Sequence, residues 1–154
     1  MNDEVELPYD NTDPEDIFRY SQELIGKTFV DVLATACEDD QLEKTISYYN
    51  NSKGKGSLGN LLEEHYFLYK PNNSPEPDFI KAGIELKATP YESTKKGIKA
   101  GERLVISMIP NTEPIEIEFS NSHLEKKLSK ILMIWYHRVK NQNRTDHRIE
   151  YTYL

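Results

Sequence analysis

The sequence predicts one domain of the mixed α/β (α+β) class. Its 154 residues suit a single core. Apolar residues recur at helical spacing through the first 69 positions, and period-two alternation or short apolar runs recur from residue 84 onward. No internal repeat interrupts this order. The elements follow from local signals.

Residues 1–12 are acidic and turn-rich and read as a flexible arm preceding a domain over 13–154. A first helix opens with Asp13 as N-cap, Pro14 at the first helical position, and Glu15 and Asp16 at the positive end of the dipole. Ile17, Tyr20 and Leu24 share one of its faces, and Gly26 is its expected stop. A second helix is expected over 28–37, with Phe29, Val32, Leu33 and Ala36 inward. Gly26-Lys27-Thr28 has the wording of a phosphate-binding loop, but that motif needs glycine at position 21, where Ser21 stands, and a strand before it.

Residues 38–56 are polar and read as a flexible loop carrying Lys53 and Lys55. A helix is expected over 57–69, with Leu58, Leu61, Leu62 and His65 on one stripe. His65 then sits at the core's edge, and Glu63 lies off the stripe, free to face a cleft. Tyr48, Tyr49, Tyr66 and Tyr69 are expected mostly in the core. The prolines at 71, 75 and 77 exclude helix or central strand over 70–77. Residues 84–89 alternate strictly and predict a strand that Pro90 ends, with Ile84, Leu86 and Ala88 opposite Glu85, Lys87 and Thr89. A lysine-rich surface loop is expected over 91–102, then strands over 104–109 and 115–119. Ser122 through Glu125 reads as a capping box opening a short helix to about Lys130. Strands over 131–136 and 149–154 complete the chain.

Composition excludes several classes. Hydrophobic residues make up 37% and charged residues 29%, and no apolar run approaches a membrane span. No basic-then-apolar signal opens the chain, so a cytoplasmic location is the default. The single cysteine, Cys37, excludes a disulfide framework and a thiolate metal site within one chain, and reads as a small buried residue. The net charge is −7, unevenly spread. Residues 1–50 hold 13 acids against 3 bases, and residues 51–154 hold 13 acids against 16 bases. The second part can therefore present a basic face to phosphate, or simply an ordinary mixed surface.

The chemistry concentrates in 77–87, Pro-Asp-Phe-Ile-Lys-Ala-Gly-Ile-Glu-Leu-Lys. A period of two places Glu85 and Lys87 on one face, about 7 Å apart along the strand. A loop can return Asp78 beside them. Two carboxylates offer hard oxygen ligands to a magnesium ion that keeps several waters, and the backbone carbonyl of Leu86 could complete the protein ligands. Lys87 would then stand where a water nucleophile is bound, able to orient or deprotonate it during phosphodiester hydrolysis. Glu63 could hold a second ion or a bridging water. The plain alternative is an exposed, salt-bridged strand face, which strict alternation also produces.

The stretch from Lys55 to Pro90, with Lys-Gly-Ser-Leu-Gly-Asn-Leu-Leu-Glu, then Pro-Asp-Phe, then Gly-Ile-Glu-Leu-Lys-Ala-Thr-Pro, resembles the core of the MutH and Sau-type GATC endonucleases. These belong to the PD-(D/E)-x-K nuclease superfamily. The resemblance continues at Ser122-His-Leu-Glu-Lys-Lys-Leu128 and into 131–134, and extends back over 24–28. It implies a restriction-endonuclease-like mixed central sheet flanked by helices, and a bacterial protein acting on double-stranded DNA at or near GATC. By position it implies Asp78 and Glu85 as metal ligands, Lys87 as the catalytic lysine, Glu63 as the helix glutamate that helps assemble the metal site, and Lys127 as a second catalytic lysine. It implies Mg²⁺ as cofactor with Mn²⁺ as substitute, and DNA contacts from Lys55, Lys53 and Lys126. Taken alone, Lys127 would read as a solvated helix lysine. Family members carry a further arm that closes on DNA, so this domain is expected to lack that arm or to be followed by it. Dimerisation on DNA is a further expectation.

The leading expectation is a Sau-type restriction endonuclease, on the Lys-Ala-Thr-Pro wording that follows Leu86. A mismatch-repair nicking enzyme is the alternative within the family. A non-catalytic, nuclease-like DNA-binding domain is the alternative of another class, and the presence of Asp78, Glu85 and Lys87 argues against it.

Overall fold

The structure is a computed structural model and describes residues 5–51, 57–105, 120 and 122–154. Local capping fixes the first helices. Helix α1 (Pro14–Gln22) is capped by the Asp13 side chain, which accepts from the Glu15 amide at 3.0 Å. The chain then turns through Gly26, whose φ of 87° suits a residue without Cβ. Helix α2 (Phe29–Ala36) opens with a reciprocal capping box between Thr28 and Asp31. Phe29, Val32 and Leu33 are buried as expected, whereas Ala36 is exposed.

Three larger expectations are overturned between residues 5 and 102. First, residues 38–50 are not a loop: Asp39–Asn50 forms helix α3. Asp39 and Asp40 occupy the first turn, and Leu42, Ile46 and Tyr49 share one face against the core. Second, the arm expected over 1–12 is anchored from Leu7. Tyr9 is buried, donates its hydroxyl to the Phe67 carbonyl at 2.6 Å and stacks on Tyr20. Third, Pro90 does not end its strand. Strand β1 (Glu85–Thr94) runs through it and turns at Lys95-Lys96 into β2 (Gly97–Ala100), where a lysine-rich loop was expected. Proline lacks the N–H that would answer the Gly101 carbonyl, and Arg138 Nη2 donates to that carbonyl instead at 2.6 Å.

Helix α4 (Leu58–His65) starts at its Ser57 cap but ends four residues before the expected Tyr69. Leu68 then adopts a φ of 59°, which helix cannot continue. Tyr49 and Tyr66 are buried in the core, while Tyr48 is exposed. Cys37 is half-buried, with Sγ 4.0 Å from His65 Nδ1 at the core's edge. Leu104 and Val105 are exposed and outside any strand. The rest of the strand expected over 104–109, and that over 115–119, lie outside the described residues.

Helix α5 (His123–Ser129), capped by Ser122, leads into β3 (Ile131–His137), and a 3₁₀ turn (Arg144–Asp146) leads into β4 (Arg148–Tyr153). The sheet is mixed, in the order β2-β1-β3-β4, with β1 and β3 parallel and the other pairs antiparallel. This is the mixed α+β fold the sequence predicts, a central sheet flanked by helices. Its apolar face carries Leu86, Leu132, Ile134, Tyr136 and Ile149, which pack with Ile17, Leu24, Phe29, Leu33, Leu61 and Leu62 in one core. The opposite face of β1 carries Glu85 and Lys87.

One non-local lock joins α3 to the turn before β4. Asn50 Oδ1 accepts from both the amide and the hydroxyl of fully buried Thr145, each at 3.0 Å. Asn50→Ala would leave two buried donors without that partner. It is expected to lower unfolding stability by about 1–3 kcal/mol, read by urea denaturation. An unchanged midpoint would show that water replaces Asn50 at no cost.

Candidate active site

The site is built by a turn and the strand that follows it. The Phe79 amide donates to the Ile84 carbonyl at 2.9 Å, and the Gly83 amide to the Phe79 carbonyl at 2.8 Å. Gly83 has a φ of 69°, so this reversal needs a residue without Cβ. The reversal brings Asp78 back alongside β1, where its Oδ2 accepts from the Leu86 amide at 2.8 Å. The Glu85 amide faces β3, donating to the Lys130 carbonyl at 3.0 Å. By strand alternation the Leu86 carbonyl faces the other way, toward the Asp78 side.

Glu85 is the hub. Its side chain is only 4% exposed, and its Oε1 lies 3.1 Å from Lys87 Nζ and 3.5 Å from Lys127 Nζ. Its buried Oε2 has no hydrogen-bond partner. Lys127 therefore arrives from α5, immediately before β3, on the face where β1 presents Lys87. Glu63 comes from α4, on the side of that helix away from Leu61 and Leu62.

The electrostatics show that these acids meet. Burial raises the Glu63 carboxyl to about 7, helped by the charges of Asp78 and Glu85. Burial and the Glu85 charge raise Asp78 to about 6, against the hydrogen bond from Leu86 and the charge of Lys87. The Tyr69 hydroxyl is buried and held well above its ordinary range, by burial and then by Asp78 and Glu63. Tyr69 reads from the sequence as core, and nothing local marks it as a neighbour of the acids.

These residues fit a hard cation. The Glu63 and Asp78 carboxyls are held above their ordinary range by burial and by their acidic neighbours, and one buried oxygen of Glu85 lacks a donor. Among the described residues no three His, Cys, Asp or Glu side chains close into a ready cage. Magnesium suits such an open set, because it keeps several waters and takes one or two carboxylates.

The structure thus brings Asp78, Glu85, Lys87, Glu63 and Lys127 together. It does not bring Lys126, whose Nζ lies on the surface 3.9 Å from Glu76. Lys53 and Lys55 lie outside the described residues. A cavity of about 550 Å³ opens from Glu63 and Lys87 along the start of α4 to Arg138, Arg144 and His147. Arg138 and Arg144 belong to the polar, basic stretch 137–148.

The family model described as DNA mismatch repair enzyme MutH matches residues 67–154, over half of the chain. The chain belongs to the MutH family. The match spans Asp78, Glu85, Lys87 and Lys127, and Glu63 lies just before it. Among curated relatives, the type II restriction enzyme Sau3AI of Staphylococcus aureus is 33% identical over 89 residues, 57% of this chain and 18% of that protein. The DNA mismatch repair protein MutH of Vibrio campbellii is 37% identical over 86 residues, 55% of this chain and 36% of that protein. MutH of Vibrio cholerae is 29% identical over 123 residues, 80% of this chain and 51% of that protein. The chain thus matches from 18% to 51% of the length of these relatives. Among the described residues no helix is long and apolar enough to cross a membrane.

Proposed function

We propose that this MutH-family chain is a metal-dependent DNA endonuclease domain that hydrolyses phosphodiester bonds at or near GATC. The observation that carries this reading is the meeting of Asp78, Glu85 and Glu63 with Lys87 and Lys127. A structural ion pair needs one acid and one base. Here mutually repelling acids sit with two lysines, and Glu63 and Lys87 among them line a cavity. Asp78, Glu85 and the Leu86 carbonyl would hold Mg²⁺, or Mn²⁺ in its place, with Glu63 assisting. The bound ion would supply charge neutralisation at the phosphate and a water of lowered pKa. Lys87 would orient or deprotonate the attacking water. Lys127 would offset the negative charge that grows on the phosphate in the transition state. Double-stranded DNA is the substrate in this reading.

The Sau-type wording after Leu86 supports double-strand restriction cleavage. The family model and most relatives carry the MutH description, which supports nicking as the second reading. One assay separates them. Supercoiled plasmid with unmethylated GATC sites is incubated at low salt with Mg²⁺, Mn²⁺ or EDTA. Cleavage with either cation and none in EDTA is expected. Linear product supports restriction and open circles support nicking. DNA binding without cleavage under any cation would sink the enzymatic reading and favour a DNA-binding domain.

A further inference from the structure

The cavity beside the acids has a second end that the proposed chemistry does not use. Its wall there is the first turn of α4, from Ser57 to Asn60, with Arg138, Arg144 and His147. The two arginines differ. Arg138 is committed to the sheet: it bonds Glu92 Oε1 at 2.8–2.9 Å and the Gly101 carbonyl at 2.6 Å, and Glu102 lies 3.7 Å away. Arg144 makes one long bond, 3.3 Å to the Tyr49 carbonyl, and no carboxylate pairs with it among the described residues. Its backbone is nonetheless fixed, because the next residue, Thr145, is locked by Asn50.

His147 lines the same end. It is 3% exposed, and neither ring nitrogen has a hydrogen-bond partner of normal geometry, although the Val139 carbonyl approaches the ring. The amino end of α4 adds the positive end of its dipole, with the Asn60 amide already taken by the Ser57 side chain. The acids on the cavity wall are Glu63, at the opposite end, and Glu102, tied to Arg138. The end at Arg144 is therefore built for an anion. From Ser57 to Glu63 the helix axis advances about 9 Å, which suits neighbouring groups on one polyanion better than a single ion.

We infer that Arg144 and the amino end of α4 hold a DNA backbone phosphate flanking the one that is cut. This rests on the endonuclease reading and assigns Arg144 as a positioning residue. Holding the neighbouring phosphate fixes the register of the strand, and with it the scissile phosphate against Lys87.

The test uses the whole chain and a short duplex carrying one GATC site, with Ca²⁺ replacing Mg²⁺ while binding is measured by fluorescence anisotropy over a salt series. Arg144→Gln is compared with Arg144→Lys and wild type, and thermal unfolding checks that each variant folds. The Gln variant is expected to show a slope of log Kd against log salt smaller by about one, with the Lys variant near wild type. Neutral methylphosphonates are then placed singly on either side of the scissile phosphate. One of them is expected to weaken wild-type binding on the order of tenfold and the Gln variant hardly at all. A slope unchanged in Arg144→Gln, or an equal penalty in both proteins, would overturn the subsite and leave the endonuclease reading standing. Absence of any salt-dependent DNA binding by the wild-type chain would overturn both.

Discussion

Replacing Lys87 by alanine is expected to slow DNA cleavage about a thousandfold, within the range for a lost proton-transfer group, while the fold and cation binding persist. The fold should survive because Glu85 keeps a second partner: Lys127 Nζ still lies 3.5 Å from its Oε1. No buried carboxylate is left wholly without a cation, so stability falls by about 1 kcal/mol rather than the larger loss of a fully broken buried pair.

A second effect of the substitution must be separated from the first. The Lys87 charge holds both Glu63 and Asp78 below where burial alone would put them. Without it both carboxyls keep their protons to higher pH. If the variant were slow only because its ligands stayed protonated, raising the pH from about 7 to about 8.5 would restore most of the rate. If Lys87 acts on the water or the phosphate itself, the deficit persists at both values. Single-turnover cleavage of a GATC duplex at the two pH values measures this, beside Mn²⁺-induced thermal stabilisation as a binding control. A rate within about threefold of wild type at neutral pH would remove Lys87 from the mechanism, since proton transfer alone is worth far more.

What the sequence made legible was set by how local each signal is. The start of α1 could be read because Asp13 with Pro14 caps that helix within one turn, whereas the equally local box of Thr28 and Asp31 emerges only in the structure. The Glu85 and Lys87 pair could be read because a period of two is a property of the strand alone. Helix α3 was hidden because Leu42, Ile46 and Tyr49 are diluted by polar neighbours, and its end is anchored to Thr145 from the far end of the chain. The continuation through Pro90 was hidden because its compensation comes from Arg138. The same division runs through the candidate site. Asp78 and Glu85 are joined by one short turn, whereas Lys127 stands beside Glu85 only because α5 precedes a strand parallel to β1, and family resemblance alone pointed to it. Tyr69 and Arg144 had neither a local pattern nor a motif, and only the packed chain shows what they face.

The cation-free protein is expected to lose stability as pH rises from about 4 to about 7, and added Mg²⁺ or Mn²⁺ to reverse that loss. The sign follows from the raised carboxyls. Asp78 moves from 3.8 to about 6 and Glu63 from 4.5 to about 7, each first through burial. The folded chain therefore holds protons that the unfolded chain has released. This contribution is complete below about pH 4 and is lost as pH passes the folded values. Solvent reaches the cleft and the acids act on one another, so together they amount to about 2–3 kcal/mol. For a domain of this size that corresponds to roughly 5–10 °C in Tm. Two other sets of groups titrate nearby. Asp10, Asp16 and Glu92 are lowered by their hydrogen bonds, so their effect falls at the acid end, below the window. His147 is lowered by burial and opposes the trend, costing stability as pH falls through its ordinary value of 6.5. Asp78→Asn separates these contributions, because it removes one raised carboxyl and leaves the surface acids and His147 in place. The variant is expected to flatten the decline between about pH 4 and 7 and to lose most of the cation's stabilisation. In the wild type a cation must displace protons from these acids, so its stabilisation grows from near zero at about pH 5 to several degrees at about pH 8. Thermal unfolding of both proteins across this range, with and without Mn²⁺, decides it. Cation stabilisation that is independent of pH, or equal in wild type and Asp78→Asn, would place the bound cation elsewhere on the protein.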